Sequence, residues 1–296
     1  MSIQAQRARY VPVEKGFNIV RPSIEPQSFE PQKTRVFAAD APTGLVALDL
    51  SASLGTDYPA TTPFMLARYV SVRAGAPLTC RFAASGEIWA VLRGKGRLDR
   101  EGEAIDWRDG DILLVPGGAT STWAADEDAV LWMVSDEPAL AFLGVQPEAA
   151  DRAAIETTLY RRDDVARELQ SLYHRPLAPD TAGRALFMAS ARTERPAMTL
   201  TLNAVRPGEA QRPHRHNAAA LVLALREAGC TSTIGGRTFA WTRHSTLLTP
   251  AGAPHDHCNG RQITGGEVSE DDIALALIVQ DGGLYYYGRT MGFSFT

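Results

Sequence analysis

The sequence has little cysteine and no long uninterrupted apolar run. Its three cysteines, Cys80, Cys230 and Cys258, are too few and too widely scattered for a disulfide framework, which favours a reducing compartment. No window of about 18 apolar residues occurs, and the first residues lack the apolar core of a signal peptide. We therefore predict a cytoplasmic protein that does not span a membrane.

An excess of basic residues is also missing. The 30 basic and 34 acidic residues give a formal net charge of -4, so there is no basic field to collect phosphates, and nucleic acid is not an expected partner. The chain of 296 residues is 45% hydrophobic and 22% charged, which is ordinary for a globular protein with room for two domains.

Histidine is concentrated in one stretch, residues 208–259. Five of the six histidines lie there: His214, His216, His244, His255 and His257. Alternate residues of an extended strand point to the same side, so His214 and His216 can direct two imidazoles at a single point. His255 follows a Pro-Ala-Gly-Ala-Pro turn and can add a third. Three neutral imidazoles that leave coordination positions open predict a metal site that does chemistry.

Short β-rich runs separated by glycine turns dominate the rest of the chain. Their spacing is typical of antiparallel sandwiches or barrels. The predicted strands are 67–72, 87–92, 96–100, 111–115, 130–134, 197–205, 220–225, 231–234, 246–248 and 273–279. Helical spacing appears only between the halves, over 149–154 and 163–173. A proline-rich arm, residues 1–60, precedes the first run, with a strand expected in 43–51.

The two β-rich halves look like copies of one module. Gly75 precedes Arg81 by the same six residues that separate Gly208 from His214, and a Pro-Gly-Gly at 116–118 matches the Pro-Ala-Gly at 250–252. This repetition predicts a duplication and therefore two tandem β-barrel domains.

The motif residues resemble the two motifs of the cupin superfamily, Gly-x5-His-x-His and Pro-x-Gly-x2-His-x3-Asn. The matching residues are Gly208, His214, His216, Pro250, Gly252, His255 and Asn259. The first half keeps the skeleton but has Arg81, Ala83 and Ser121 in place of the histidines. The resemblance implies a mainly all-β fold of two tandem cupin (RmlC-like jelly-roll) barrels with a short helical linker, of which only the second binds metal. We divide the chain into an arm (1–60), a barrel without metal ligands (61–140), a linker (141–182) and a metal-binding barrel (183–296).

A closer resemblance is to the gentisate 1,2-dioxygenase group of bicupins, which includes salicylate and 1-hydroxy-2-naphthoate dioxygenases. It rests on the run His214-Arg215-His216 and on residues 248–257, Leu-Thr-Pro-Ala-Gly-Ala-Pro-His-Asp-His. Ala220 stands where many cupins have a glutamate ligand, as in the group's three-histidine iron sites. This chain departs from the group in two ways. Its metal barrel is the second one, whereas in the group it is usually the first. Val222 stands at the position of the arginine that binds the substrate carboxylate in the group.

The resemblance implies a ring-cleaving dioxygenase that uses Fe(II), or another divalent metal, and O2 on a hydroxylated aromatic acid. His214, His216 and His255 would hold the metal, and His257 would be a fourth ligand or, as the resemblance favours, an acid/base group beside substrate or oxygen. Arg212, two residues before His214, is predicted either to project into the cavity and orient an anion or to lie at the rim in solvent. Such proteins act in aromatic catabolism and commonly form homo-oligomers.

Several other polar residues have simpler expected roles. His244 is predicted to be a solvated turn residue, and Asp256 and Asn259 to form turns through their side chains. Glu87 is expected to be a relic or a buried partner of Arg81. The tyrosines of the run 284–287 would line the barrel mouth or belong to the core.

Two other functions are compatible with the same sequence. One is a metal-dependent cupin with non-oxidative chemistry, such as isomerisation or hydrolysis of a sugar acid or keto acid. The other is a bicupin that binds a small ligand without catalysis.

Overall fold

The computed structural model describes residues 1–16, 22–147, 153, 155–177, 181–189, 197–263 and 268–296. Within these residues the strands are β1 (Gln27–Ser28), β2 (Gly44–Ala47), β3 (Leu66–Val72), β4 (Leu78–Cys80), β5 (Gly86–Arg93), β6 (Lys95–Arg100), β7 (Glu103–Arg108), β8 (Ile112–Pro116), β9 (Ser121–Ala125), β10 (Ala129–Ser135), β11 (Thr158–Tyr160), β12 (Arg184–Phe187), β13 (Thr199–Val205), β14 (His214–His216), β15 (Ala220–Arg226), β16 (Cys230–Ile234), β17 (Arg237–Ala240), β18 (Thr246–Thr249), β19 (His255–Asn259), β20 (Ala274–Gln280) and β21 (Phe293–Phe295). The helices are α1 (Ile3–Arg7), α2 (Val13–Gly16), α3 (Glu30–Phe37), α4 (Ser51–Leu54), α5 (Glu137–Leu143), α6 (Arg162–His174) and α7 (Gly282–Gly288).

The first barrel packs a six-stranded sheet, β11-β8-β5-β10-β3-β2, against a four-stranded sheet, β4-β9-β6-β7. Side chains alternate across each strand, so one face of β5 turns into the barrel and the other turns outward. The inward face meets three fully buried tryptophans, Trp89, Trp107 and Trp123, with 4.2 Å between the ring centroids of Trp89 and Trp123. Large aromatic side chains therefore fill the interior of this barrel.

The second barrel has the same plan but a roomier interior. Its sheets are β1-β18-β15-β20-β13-β12 and β17-β16-β19-β14-β21. On β15 the inward residues are Ala220, Val222 and Ala224, whereas Leu221 and Leu223 face the core shared with the first barrel. Small inward side chains leave space between the two sheets, and the histidines border that space.

The two barrels exchange short strands. β1, which precedes the first barrel in the chain, pairs with β18 of the second barrel. β11, which precedes the second barrel, pairs with β8 of the first. The Tyr69 hydroxyl on β3 also donates a 2.5 Å hydrogen bond to the carbonyl oxygen of His244 in the second barrel. The N-terminal arm is thus more structured than the proline-rich sequence predicts, because its segments are ordered by contacts with both barrels.

The predicted fold class is confirmed, and each predicted strand coincides with an observed one. The predicted helix 163–173 is α6, whereas the segment 149–154 lies outside the described residues except for position 153. The aromatic run 284–287 lies in α7, where Tyr286 and Tyr287 are exposed, so the alternative that these tyrosines belong to the core is wrong. Within the described residues we find no helix long and apolar enough to cross a membrane.

Candidate metal centre

Three histidines converge in the second barrel. β14 carries His214 and His216 on the same side, and β19 brings His255 directly opposite His214 in the antiparallel register. Their ligating nitrogens all lie within 4.8 Å of one another, and all three residues are buried. The predicted clustering is therefore present, and it follows from strand alternation and register rather than from neighbouring positions in the sequence.

Backbone carbonyls orient all three rings in the same way. Each Nδ1 lies 2.8–2.9 Å from a carbonyl oxygen two residues away in the chain, those of Arg212, Ala218 and Ala253. A carbonyl only accepts, so each Nδ1 carries the proton and donates it, and the Nε2 lone pair stays available. This is the arrangement that metal-ligating histidines adopt, since the partner of one nitrogen fixes the tautomer and the direction of the other.

The charge state of the rings also suits a cation. Burial lowers the pKa of His214 and His216 below that of an exposed histidine. Burial and the neighbouring His214 together lower the pKa of His255 to about 3. All three rings are consequently neutral at pH 7, which is the form that binds a metal.

The donor set matches a divalent ion that keeps open coordination positions. Three imidazole nitrogens suit iron, zinc, copper or nickel, and no carboxylate of the described residues joins the cluster. The position of the usual cupin glutamate is Ala220, which is buried and faces the cavity. The residues present therefore fit the predicted three-histidine centre.

A cavity of about 430 Å³ opens onto these histidines. Its walls include Val222 and Ile278 on the inward faces of β15 and β20, Phe187 on β12, and Tyr286 on α7. This volume lies in the range of small-molecule sites. The cavity is mainly apolar at its walls and polar where the histidines enter it, so it can receive an aromatic ring with its polar substituents toward them.

His257 enters the same cavity from the next inward position of β19. Its Nδ1 lies 2.8 Å from Oγ of Ser232, the residue paired with it on β16. The Trp241 indole Nε1 donates to the same Oγ at 2.7 Å. Because the indole can only donate, the Ser232 hydroxyl proton is free to point at Nδ1 of His257. When the hydroxyl donates in this way, the His257 proton resides on Nε2, which is the tautomer that a donor role toward the cavity requires.

Arg212 differs from the prediction that it projects into the cavity. Its side chain is exposed, and its guanidinium lies 3.7 Å from the centroid of the Phe295 ring. The reason is that β14 begins at His214, so strand alternation does not extend back to position 212. The backbone N–H of Arg212 instead donates to the Ala182 carbonyl. Its location agrees with the alternative prediction of a rim residue.

His244 and Glu87 each match only part of their predictions. His244 does lie in a turn, with φ +63°, but its ring is not free in solvent, since it stacks on Phe37 with 5.3 Å between centroids. Glu87 does not contact Arg81, whose Nε donates to the Gly118 carbonyl. Glu87 is instead buried in the first barrel, where its Oε2 accepts from the Trp89 indole at 2.9 Å.

Asn259 fulfils its predicted turn-forming role. Its Nδ2 donates to the carbonyls of Val205 and Asp272, and its Oδ1 accepts from the backbone N–H of Arg261. Asn259 is fully buried, so these bonds hold the end of β19 and with it the strand that carries His255 and His257.

Two barrels in tandem, with a histidine cluster inside the second, are the architecture that bicupins have. The chain has the fold of gentisate dioxygenase-like bicupins. Salicylate 1,2-dioxygenase from Pseudoaminobacter salicylatoxidans, in a structure with gentisate, superposes with a TM-score of 0.73 at 12% identity, over 96% of this chain and 90% of that one. A cupin 2 conserved barrel domain protein from Leptotrichia buccalis gives a TM-score of 0.54 at 14% identity, over 87% of this chain and 96% of that one.

Sequence comparison gives a shorter match. A 5-aminosalicylate 1,2-dioxygenase from Comamonas sp is 31% identical over 91 residues, which are 30% of this chain and 24% of that protein. The match thus spans about a quarter of the length of that curated relative. Comparison with family models finds no match.

Some residues at or behind the cavity wall were not predicted from the sequence. Ser232 and Trp241 belong to no motif, and only the register of β16 with β19 reveals their relation to His257. Gln280 ends β20, and its Nε2 lies 3.2 Å from Nε2 of His216. It is 64 positions from His216 in the sequence, and no spacing rule connects the two.

Proposed function

We propose that this chain is an Fe(II)-dependent dioxygenase that cleaves the ring of a hydroxylated aromatic acid of the salicylate and gentisate class. The single observation that carries the proposal is the set of three buried, neutral imidazoles with Nε2 turned into a 430 Å³ cavity. The similarity to ring-cleaving 1,2-dioxygenases, in fold and over 91 aligned residues, supports the same reaction class.

His214, His216 and His255 hold the ion in this proposal. When bound, ferrous iron would supply the Lewis-acid and redox chemistry that a chelating substrate and dioxygen need. The carbonyl partners of the three Nδ1 atoms keep the rings in place, so little reorganisation is needed when the ion binds. Another divalent metal fits the same three nitrogens.

The remaining cavity residues position the substrate and stabilise charge. Burial lowers the pKa of His257 to about 3, so its neutral ring directs Nε2–H toward an oxygen of substrate or dioxygen and stabilises negative charge there by a hydrogen bond. Val222, Ile278 and Phe187 enclose the ring and keep water away from it. With Val222 in the position where the gentisate group has arginine, we expect the carboxylate to be bound mainly at the metal, as part of the chelating group.

Oxygen uptake with a substrate panel tests the proposal. The protein is purified without oxygen, loaded with ferrous iron and offered gentisate, salicylate, 5-aminosalicylate and 1-hydroxy-2-naphthoate. We expect uptake with at least one of them, together with the absorbance of a ring-opened product. If no panel compound causes oxygen uptake at full iron occupancy, this substrate class is rejected. Turnover that persists with zinc in the absence of oxygen would support non-oxidative chemistry instead.

A further inference from the structure

Each barrel has one long polar side chain near the place that the cupin glutamate occupies. The two barrels differ in the strand that supplies it. In the first barrel Glu87 lies on β5, twelve residues after the motif glycine Gly75. Ala220 on β15 has the same relation to Gly208. Both residues are buried and on the inward face of their strands. The duplication therefore makes Ala220 the counterpart of Glu87, with its carboxylate removed.

The neighbouring strand of the same sheet shows the complementary change. Glu87 pairs across the sheet with Ser135 at the end of β10. Ala220 pairs with Gln280 at the end of β20. In the first barrel the long side chain, Glu87, is on the strand that follows the motif glycine, and its partner is small. In the second barrel the small residue is on that strand, and the long side chain is its partner, Gln280. Directly paired residues of an antiparallel sheet bring their Cβ atoms to about 5 Å, so the Gln280 side chain can reach the space that a glutamate at position 220 would occupy.

The Gln280 carboxamide already meets the centre. Its Nε2 lies 3.2 Å from the Nε2 of His216, whose Nδ1 is occupied by the carbonyl of Ala218. In this contact the amide donates to the same lone pair that a metal ion requires. A bound ion must take that lone pair, and the carboxamide can then rotate so that its oxygen faces the cation.

We propose that Gln280 replaces the missing glutamate as the fourth protein group at the metal, with its amide oxygen directed to the ion. This inference rests on the proposed three-histidine centre and adds a neutral oxygen to it. A carboxamide leaves the full double charge of the ion uncompensated, whereas a glutamate would cancel half of it. The centre then attracts an anionic chelating substrate more strongly, in a cavity where the described lining residues include no arginine or lysine.

Cobalt(II) binding to the full-length protein tests this role without any turnover. Gln280→Leu keeps the size of the side chain but removes the amide, and we expect it to weaken cobalt affinity by about 10- to 100-fold and to change the visible ligand-field spectrum. Asn203→Leu is the matched control, because Asn203 is another carboxamide that lines the same cavity but lies on β13 opposite Ala276. It should leave affinity and spectrum unchanged.

A second variant separates lost coordination from disturbed packing. Moving the oxygen ligand back to β15, as in Ala220→Glu combined with Gln280→Ala, should restore cobalt affinity that Gln280→Ala alone loses. Unchanged or tighter binding in Gln280→Leu, with the spectrum of the parent protein, would overturn the inference while leaving the three-histidine centre in place. Failure of the unmodified protein to bind cobalt would reject the centre itself and this inference with it.

Discussion

Ser232 and His257 face each other across β16 and β19, with Ser232 Oγ 2.8 Å from Nδ1 of His257. The three other cavity histidines use a backbone carbonyl as their Nδ1 partner, which holds the proton on Nδ1. His257 has a hydroxyl instead, and the hydroxyl itself receives a hydrogen bond from Trp241. A hydroxyl can donate where a carbonyl cannot, so His257 is the one of these four rings whose Nδ1 partner permits a proton on Nε2.

The first prediction concerns this positioning role of Ser232. Ser232→Ala removes the group that orients His257 and leaves the Trp241 indole unsatisfied, so we expect kcat to fall by about 10-fold or more with little change in KM. Ser232→Thr, which keeps the hydroxyl, should retain most of the activity. Nitrogen NMR of labelled histidine reports the tautomer directly, and a proton on Nδ1 of His257 in the unmodified protein would contradict the assignment.

Arg212 should have little influence on substrate binding. Its guanidinium lies over Phe295 and outside the cavity. We expect Arg212→Ala to cost about 0.5–1 kcal/mol of stability through the lost cation–π contact and to change KM for a carboxylate substrate by less than about threefold. Arg215→Ala, at another exposed arginine of the same run, serves as the control in steady-state kinetics. An increase in KM of tenfold or more for Arg212→Ala alone would restore its predicted role as an anion anchor.

Glu87 should make the stability of the first barrel depend on pH. Burial raises the pKa of Glu87 to about 7, above its ordinary value of 4.5. The folded state therefore favours the protonated acid, and stability falls as pH rises from about 4.5 to 7. Glu87→Gln stays neutral and should be more stable than the parent protein at pH 8 by up to about 3 kcal/mol.

Chemical denaturation at pH 5 and pH 8 measures this difference. Glu103→Gln on β7 is the control, because Glu103 is exposed and should give the same pH profile as the parent protein. Equal destabilisation by Glu87→Gln at both pH values would show that the carboxyl acts through hydrogen bonding rather than through its ionisation.

Metal binding should stabilise the fold through the second barrel. A ligand that binds only the native state at 100 times its Kd adds about 2.7 kcal/mol, so Tm should rise when cobalt or zinc is titrated in. His214→Ala should abolish that rise. His174→Ala provides the matched control, since His174 is the histidine outside the cluster region and is exposed on α6. Loss of the rise in both variants would indicate a general effect of histidine replacement.

Much of the fold could be predicted because hydrophobic alternation and turn residues are local signals. The duplication added a further signal, because matching motifs in the two halves predict two barrels of the same fold. The exchanged strands β1 and β11 could not be predicted, because two or three residues show no periodicity and their pairing depends on the other barrel. The place of the tyrosines could not be predicted for a related reason, because aromatic residues are common in cores, whereas here Tyr286 and Tyr287 are exposed on α7. The domain limits stay predictions.

The candidate site divides in the same way. His214, His216 and His255 could be found because two motifs fix their spacing. Gln280, Ser232 and Trp241 could not, because the sheet register alone brings them to the histidines. Arg212 was placed by extending a strand alternation two residues beyond the start of β14, where the chain has already left the sheet.

Isotope labelling of the product tests the central claim most directly. The iron-loaded protein is supplied with ¹⁸O2 and the panel substrate that supports oxygen uptake, and the ring-opened product is analysed by mass spectrometry. The proposed dioxygenase places both atoms of one oxygen molecule in the product, and His216→Ala yields no labelled product. A product that carries no label, or the same labelled product from His216→Ala, would contradict ring cleavage by dioxygen at the three-histidine centre of the second barrel.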